Sequence, residues 1–181
     1  DLVLSLFTDR TGILWAGTDF AGINIFDPSL IKFKRYLHDP AKPDALQIRT
    51  TRSFLKDETG SLWIASSSDG LAVINYETGE SRHYLNNPND PNSISANIVF
   101  SLKRDSDHTL WVGTIQGLNK FNPQTGYFKH FYVDPSTPES GVNTVNYEIL
   151  ELPVMPGYLW FGSNGGGLIR FDKTKETFKQ Y

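Results

Sequence analysis

The chain has no cysteine and a single methionine in 181 residues. Without thiols it can form neither a disulfide nor a thiolate metal site, although that absence suits oxidising and reducing compartments alike. It also lacks any apolar stretch approaching the ~20 residues that cross a bilayer. Its first residues, DLVLSLFTDR, show neither the basic start nor the small-residue exit of a signal peptide. Runs of one charge are missing too. The 17 basic and 20 acidic residues are interspersed and leave a net charge of -3, which excludes the concentrated basic footprint that nucleic-acid binding needs. What remains, 39% hydrophobic, is the composition of a folded domain. Because the chain opens inside a strand-like run, it is expected to be part of a longer protein.

Tryptophan is scarce, and its placement is informative. Trp15 lies in DRTGILWAGT, Trp63 in DETGSLWIAS, Trp111 in SDHTLWVGT and Trp160 in PGYLWFGS, at intervals of 48, 48 and 49 residues. A repeat of that length, made of short alternating apolar runs and turn residues, is the sequence form of a β-propeller blade. Repeat two reads most plainly, with strands over 49–56, 62–66, 71–76 and 81–84 separated by Asn, Asp and Gly turns that bond locally to the backbone. By analogy, second strands fall at 14–18, 110–114 and 159–163, third strands at 22–26, 118–121 and 168–171, and fourth strands at 33–36, 128–132 and 178–181. No segment carries a sustained 3.6-residue apolar stripe, so almost no helix is expected. The fold class is therefore all-β: a β-propeller segment of four consecutive four-stranded antiparallel blades, over 1–37, 46–85, 94–132 and 142–181.

Aromatic residues recur at Phe26, Tyr76, Phe121 and Phe171, and again at Tyr36, Tyr84, Phe131 and Tyr181. Identical placement in each repeat marks architecture, so these rings and the four tryptophans are assigned to packing between blades rather than to a cofactor. A four-stranded sheet cannot bury both faces alone and must stack on a neighbour. Complete propellers close with four to eight blades. This chain is expected to be an arc of a larger, seven-bladed ring, with a closed four-blade ring as the competing arrangement. An open arc would leave apolar faces that favour self-association, two copies even completing an eight-bladed ring.

The phrase D-x-x-G-x-L-W-x-G-T, followed by G-L-x-x-F-D/N-P-x-T-G and F-x-x-Y, resembles the two-component regulator propeller repeat. It stands at 12–18 with 22–28, and at 110–114 with 117–126; the connectors 39–46, 87–94 and 134–140 are also typical. The resemblance covers nearly the whole chain. It implies a seven-bladed propeller in the periplasmic sensor of a hybrid histidine kinase from Bacteroides-like bacteria, with an oligosaccharide as the signal. It further implies partners within the parent protein: the remaining blades, a β-sandwich, a membrane helix, and kinase and response-regulator parts. Repeat two departs from the pattern, with Ser66 for threonine and an apparent two-residue expansion within 69–76. Repeat three has lost its turn glycine, leaving Asp107, His108 and Thr109.

Propeller geometry separates two sets of loops. Turns such as 9–12, 57–60, 78–79 and 125–126 are stereotyped. Loops at 18–21, 67–69, 114–116 and 163–166, together with the inner-strand entrances 46–52, 94–97 and 142–147, vary between repeats. Variable loops on a fixed scaffold are where binding is usually placed. They offer Arg49, Arg52, Asp69, Asn97, Gln116, Asn143, Asn146 and Tyr147, with Phe20 as a stacking platform. Guanidinium and amide groups suit hydroxyl-rich or carboxylated ligands. The alternative role for Asn97, Asn143 and Asn146 is capping loops and strand edges, and Phe20 could equally cover a blade edge.

No catalytic set stands out. The histidines at 38, 83, 108 and 130 lie in repeated outer positions or turns. His108 near Asp105 and Asp107 is read as an exposed turn rather than a zinc site. The glycine-rich 162–167 segment lacks the Lys-Ser/Thr ending of a phosphate loop, and no nucleophile elbow is present. No cofactor and no metal is expected. The leading functional reading is a non-enzymatic sensor; the alternatives are a carbohydrate-active lyase or hydrolase, which would need two inward carboxylates, and a propeller that only mediates protein association. If the tryptophans are core, replacing Trp63 or Trp111 with alanine should cost ~3–5 kcal/mol by chemical denaturation; a loss below ~1 kcal/mol would show that they are not.

Overall fold

The computed structural model describes residues 2–29, 32–36 (backbone only), 41, 46–75, 77–134, 136, 145 and 147–181. It contains four sheets and, among the described residues, no helix. The chain divides into two compact units, Asp1–Tyr84 and Leu85–Tyr181. The first holds sheet one, β1 (Val3–Thr8), β2 (Leu14–Thr18), β3 (Ile23–Asp27) and β4 (Lys32–Tyr36), and sheet two, β5 (Ser53–Lys56), β6 (Ser61–Ala65), β7 (Leu71–Asn75) and β8 (Ser81–Tyr84). The second holds sheet three, β9 (Val99–Arg104), β10 (Leu110–Thr114), β11 (Gly117–Asn122) and β12 (Tyr127–Phe131), and sheet four, β13 (Leu150–Glu151), β14 (Tyr158–Ser163), β15 (Gly167–Asp172) and β16 (Thr177–Gln180). Every sheet is an antiparallel meander in chain order, as four copies of one strand-turn pattern require.

Two details of repeat two differ from the sequence reading. Its inner strand begins at Ser53 rather than at Arg49, because Thr50 is drawn into a bridge with Asp19 of sheet one. The apparent expansion within 69–76 does not exist. Leu62 pairs with Ile74 as Leu14 pairs with Phe26 and Leu159 with Phe171. Ile74 therefore takes the place in the aromatic series that had been given to Tyr76, a residue outside the described set.

Each core forms where the tryptophan face of one sheet meets the opposite face of the next. In the first unit Trp15, Ile23 and Ile25 pack with Leu62, Ile64, Ala72 and Ile74, joined by Leu46 and Ile48. In the second, Trp111 and Phe131 pack with Leu159, Phe161, Ile169 and Phe171; Trp111 meets the edge of Phe171 at 5.4 Å between centroids. Trp15 and Trp111 are buried, as is Trp63, which stacks on Tyr84 at 5.8 Å. Trp160 is only half-buried and stacks on Tyr181. The glycine of the repeated Trp-x-Gly-Thr phrase has a packing reason. A Cβ on Gly17 would stand 2.6 Å from Phe54 of sheet two, and one on Gly113 would stand 2.6 Å from Val145. The outermost strands place Lys34, Arg82, Lys129 and Lys179 at equivalent register positions, opposite Ile25, Val73, Lys120 and Arg170.

The aspartate that opens the first turn does more than shape it. Asp9 Oδ1 accepts the backbone N–H groups of Thr11 and Ile13 and the Thr11 hydroxyl, while Oδ2 accepts the Trp15 indole at 3.2 Å and Lys56 Nζ at 3.1 Å. Asp57 receives the Trp63 indole at 3.0 Å, and Asp105 receives that of Trp111 at 2.7 Å. Each is six residues ahead of its tryptophan. Lysines from the next sheet complete the contact: Lys56 on Asp9, and Lys173 on Asp105, Asp107 and Glu151 at 2.6–3.0 Å. Burial alone would raise the carboxyl pKa of Asp9 and Asp105. Hydrogen bonds from Thr11, Lys56 and Trp15, and from Trp111, Thr109 and Lys173, instead hold both below the usual range. Burial would likewise lower the Lys173 ammonium, but Asp107, Glu151 and Asp105 hold it well above its ordinary value.

A carboxylate whose folded pKa is depressed contributes stability above its unfolded pKa, about 3.9, and loses it as pH falls through the folded value. Denaturant midpoints should therefore decline steadily below about pH 4. Asp105→Asn should cost about 1.5–3 kcal/mol at neutral pH and flatten that decline. An unchanged acid profile would mean that the buried aspartates do not set it.

Candidate functional site

The opposite ends of the sheets carry the variable loops, and in the first unit three of them converge. The β2–β3 loop brings Asp19 and Phe20, the segment before β5 brings Arg49 and Thr50, and the β6–β7 loop brings residues 66–69. Phe20 N donates to Arg49 O at 3.0 Å, and Asp19 N to Leu2 O at 2.9 Å. The Phe20 backbone is held in the left-handed region, at φ 65°, with its ring 79% exposed. A phenylalanine there is strained by roughly 1–2 kcal/mol, and no burial of the ring offsets that cost.

Asp69 organises the cluster. Its Oδ1 accepts Arg49 Nη2 at 2.7 Å and Nε at 3.1 Å, and its Oδ2 accepts the Arg49 backbone N–H at 2.9 Å. Burial acts to raise the Asp69 pKa, and the hydrogen bonds and charge of Arg49 more than reverse it. The Arg49 guanidinium is held above its ordinary value by the same carboxylate. Arg49 is half exposed while Asp69 is nearly covered, so the carboxylate is an internal anchor and the guanidinium faces outward.

Beneath them runs a chain of hydroxyls that the sequence reading did not single out. Ser66 Oγ accepts the backbone N–H groups of Asp69 and Ser68, at 2.9 and 3.2 Å, and lies 3.1 Å from Thr50 Oγ1. Ser67 Oγ donates to Thr50 Oγ1 at 2.8 Å. Ser66 is thus the cap that fixes the β6–β7 loop. The signal was its occupation of the threonine position in the repeat; Thr114 Oγ1 likewise accepts the Gln116 N–H, and the Thr18 and Thr114 hydroxyls close their loops by donating to Gly22 O and Gly117 O.

The other candidates are not drawn into this cluster. Arg52 is exposed and its backbone N–H donates to Ala65 O at 2.8 Å. In the second unit, Asn97 Oδ1 accepts the Asn86 backbone N–H at 2.7 Å and so holds the connector, the capping role allowed for it. Gln116 is half-buried in the β10–β11 turn, its N–H on Thr114 Oγ1. Tyr147 is 66% exposed and turns one ring edge towards Gly162, whose missing Cβ makes room for it. Asn143 and Asn146 lie outside the described residues. Asn119, absent from the candidates, is fully buried and bonds Ser95 through both ends of its amide, at 3.0 and 2.8 Å. His108 is exposed in its turn, and no group of three or more acidic, histidine or cysteine residues that could hold a metal occurs among the described residues. Nor is any helix there long and apolar enough to cross a membrane.

The sequence profile of the two component regulator propeller matches residues 93–116. Among solved structures, the chain resembles the extracellular domain of a protein described as a hybrid two component system from B. thetaiotaomicron, with 28% identity and a TM-score of 0.82 over 99% of this chain and 24% of that one. It resembles the extracellular domain of a one component system from the same organism at 22% identity and a TM-score of 0.53, over 96% of this chain and 29% of that one. Virginiamycin B lyase from Staphylococcus aureus matches at 16% identity and a TM-score of 0.67, over 98% and 54%. The last two likenesses are in fold alone. The chain spans about a quarter of the length of the first. No curated protein matches it in sequence.

Because its strain is local and its ring is exposed, Phe20 is a position where stability and function should separate. Phe20→Asn, which tolerates the left-handed backbone, should raise stability by up to about 1 kcal/mol in denaturant melts. A clear loss of stability would show that the ring is structural.

Proposed function

Since the chain is a propeller-type domain related to the extracellular sensor regions of Bacteroides two-component systems, we propose that it recognises an oligosaccharide through the Phe20, Arg49 and Asp69 cluster. The observation that carries this reading is the convergence of three loops on an outward guanidinium, with an exposed, strained phenylalanine hydrogen-bonded through its backbone to the same arginine. An aromatic face takes the apolar side of a sugar ring. An arginine oriented by a nearly covered carboxylate offers fixed donors to hydroxyl or carboxylate oxygens, with less entropy to lose on binding than a free side chain. Arg52 remains a candidate for a further contact. In this reading the segment is periplasmic, is not itself catalytic, and passes occupancy to the rest of its parent, whose output is a histidine kinase. Glycoside hydrolysis would call for a second carboxylate beside Asp69, and Asp69 is already engaged by Arg49 and Ser66.

Titration calorimetry of the complete extracellular region against an oligosaccharide panel tests the proposal. A binder should be found whose affinity falls about ten- to a hundredfold on Arg49→Ala, with cooperative unfolding retained. Substitution of Thr59, in the turns at the opposite end, should leave affinity unchanged. The reverse pattern would place the site on the other face.

A further inference from the structure

The arginine of the three-loop cluster is only partly engaged. Asp69 takes its side edge, with Nε and Nη2 both donating to Oδ1 at 3.1 and 2.7 Å. That leaves the tip: both hydrogens of Nη1 and the second hydrogen of Nη2, which present two parallel N–H groups at the outer end of a planar fork. Among the described residues no hydrogen bond or ion pair engages that tip.

The pair is neutral as a whole, but its two charges are not equally placed. The Arg49 side chain is 55% exposed and that of Asp69 10%, so the positive end faces solvent and the negative end lies underneath. Asp69 is also saturated. Its lone pairs receive Nε, Nη2 and the backbone N–H of Arg49, together with the Ser66 hydroxyl at 3.3 Å. The only other carboxylate on the three loops is Asp19, which the bridge sets across from Thr50. Successive residues of an extended segment face opposite sides, so Asp19 lies with Thr50 and away from Arg49. Arg52, exposed three residues on, adds a second positive charge to the same segment.

These facts discriminate between ligand groups. A sugar hydroxyl brings a proton as well as lone pairs, and at this tip it would meet donors but no carboxylate able to take that proton. A carboxylate brings acceptors alone, and its two oxygens match the two N–H groups of the fork. Charge-assisted bonds of this kind are about twice as strong as neutral ones.

We infer that the ligand is an acidic oligosaccharide, with a uronic acid carboxylate held end-on by Nη1 and Nη2 of Arg49. This rests on the proposed binding role of the cluster and narrows its ligand to one chemical class.

Calorimetry on the complete extracellular region tests it with uronate-containing oligosaccharides, each offered as the free acid and as its carboxyl methyl ester, beside neutral oligosaccharides of matched length. The binder should be a free acid, weakened about tenfold or more by esterification and progressively by added salt. Arg49→Ala should bring acid and ester to the same affinity. Arg49→Lys, which keeps the charge and loses the fork, should narrow the gap between them, and it decides the matter if the alanine variant does not unfold cooperatively. A neutral oligosaccharide that binds, and binds more weakly to Arg49→Ala, would overturn the acidic class while leaving the recognition site in place. An acid–ester gap that persists undiminished in the arginine variants, or a panel in which no free acid binds, would also overturn the inference. Binding indifferent to Arg49 would overturn site and class together.

Discussion

The contact on which the architecture depends is the aspartate that receives a tryptophan indole six residues later. A buried carboxylate is costly unless its lone pairs are filled. At Asp9 and Asp105 the filling comes from three sources at once: N–H groups of its own turn, the indole of its own sheet, and a lysine of the next. The turn fixes the carboxylate, the carboxylate fixes the ring, and the ring fixes the sheet that packs against it. A single side chain therefore couples local turn chemistry to tertiary stacking. That explains why the turn sequence and the tryptophan recur as one phrase.

This arrangement leaves the two ends of the sheets physically unlike. At the clasp end, charge is spent internally and little freedom remains. At the other end a buried hydroxyl, Thr18, Ser66 or Thr114, closes each loop on its own backbone and leaves the loop tip free to vary. Binding groups can change there without disturbing the stack. Strain is also admissible there: Phe20 keeps a left-handed backbone on a loop whose base is held by the Thr18 hydroxyl and its bridge to Thr50.

Most of the fold was legible in the chain because period-two alternation and turn residues recur in step, and repetition corrects local ambiguity. The errors arose where one repeat stood alone. Tyr76 was aligned by aromatic character, although the strand register places Ile74 at that position. The turn aspartates were read as turn formers, since the sequence shows the bond to residues two to four ahead but gives no sign of a lysine 47 or 68 residues away. Lys173 could have been noticed as the residue standing where repeats one and three have Pro28 and Pro123. The cluster of Arg49 with Asp69 was half visible: both were candidates, but their pairing depends on a loop capped by Ser66. Asn97, by contrast, is a case in which the plain capping role is the one the structure displays.

The cations set at equivalent positions along the outermost strands have a consequence for the crowded conditions in which the chain is synthesised. An exposed final strand is a template for adding a foreign strand, the first step towards fibrous aggregates. A lysine or arginine at the same register in every sheet makes such addition juxtapose like charges or strand a charge in a zipper. Growth along the hydrogen-bonding direction is thereby discouraged, while stacking through the faces is left open. The repeat can be multiplied by gene duplication without multiplying its tendency to aggregate.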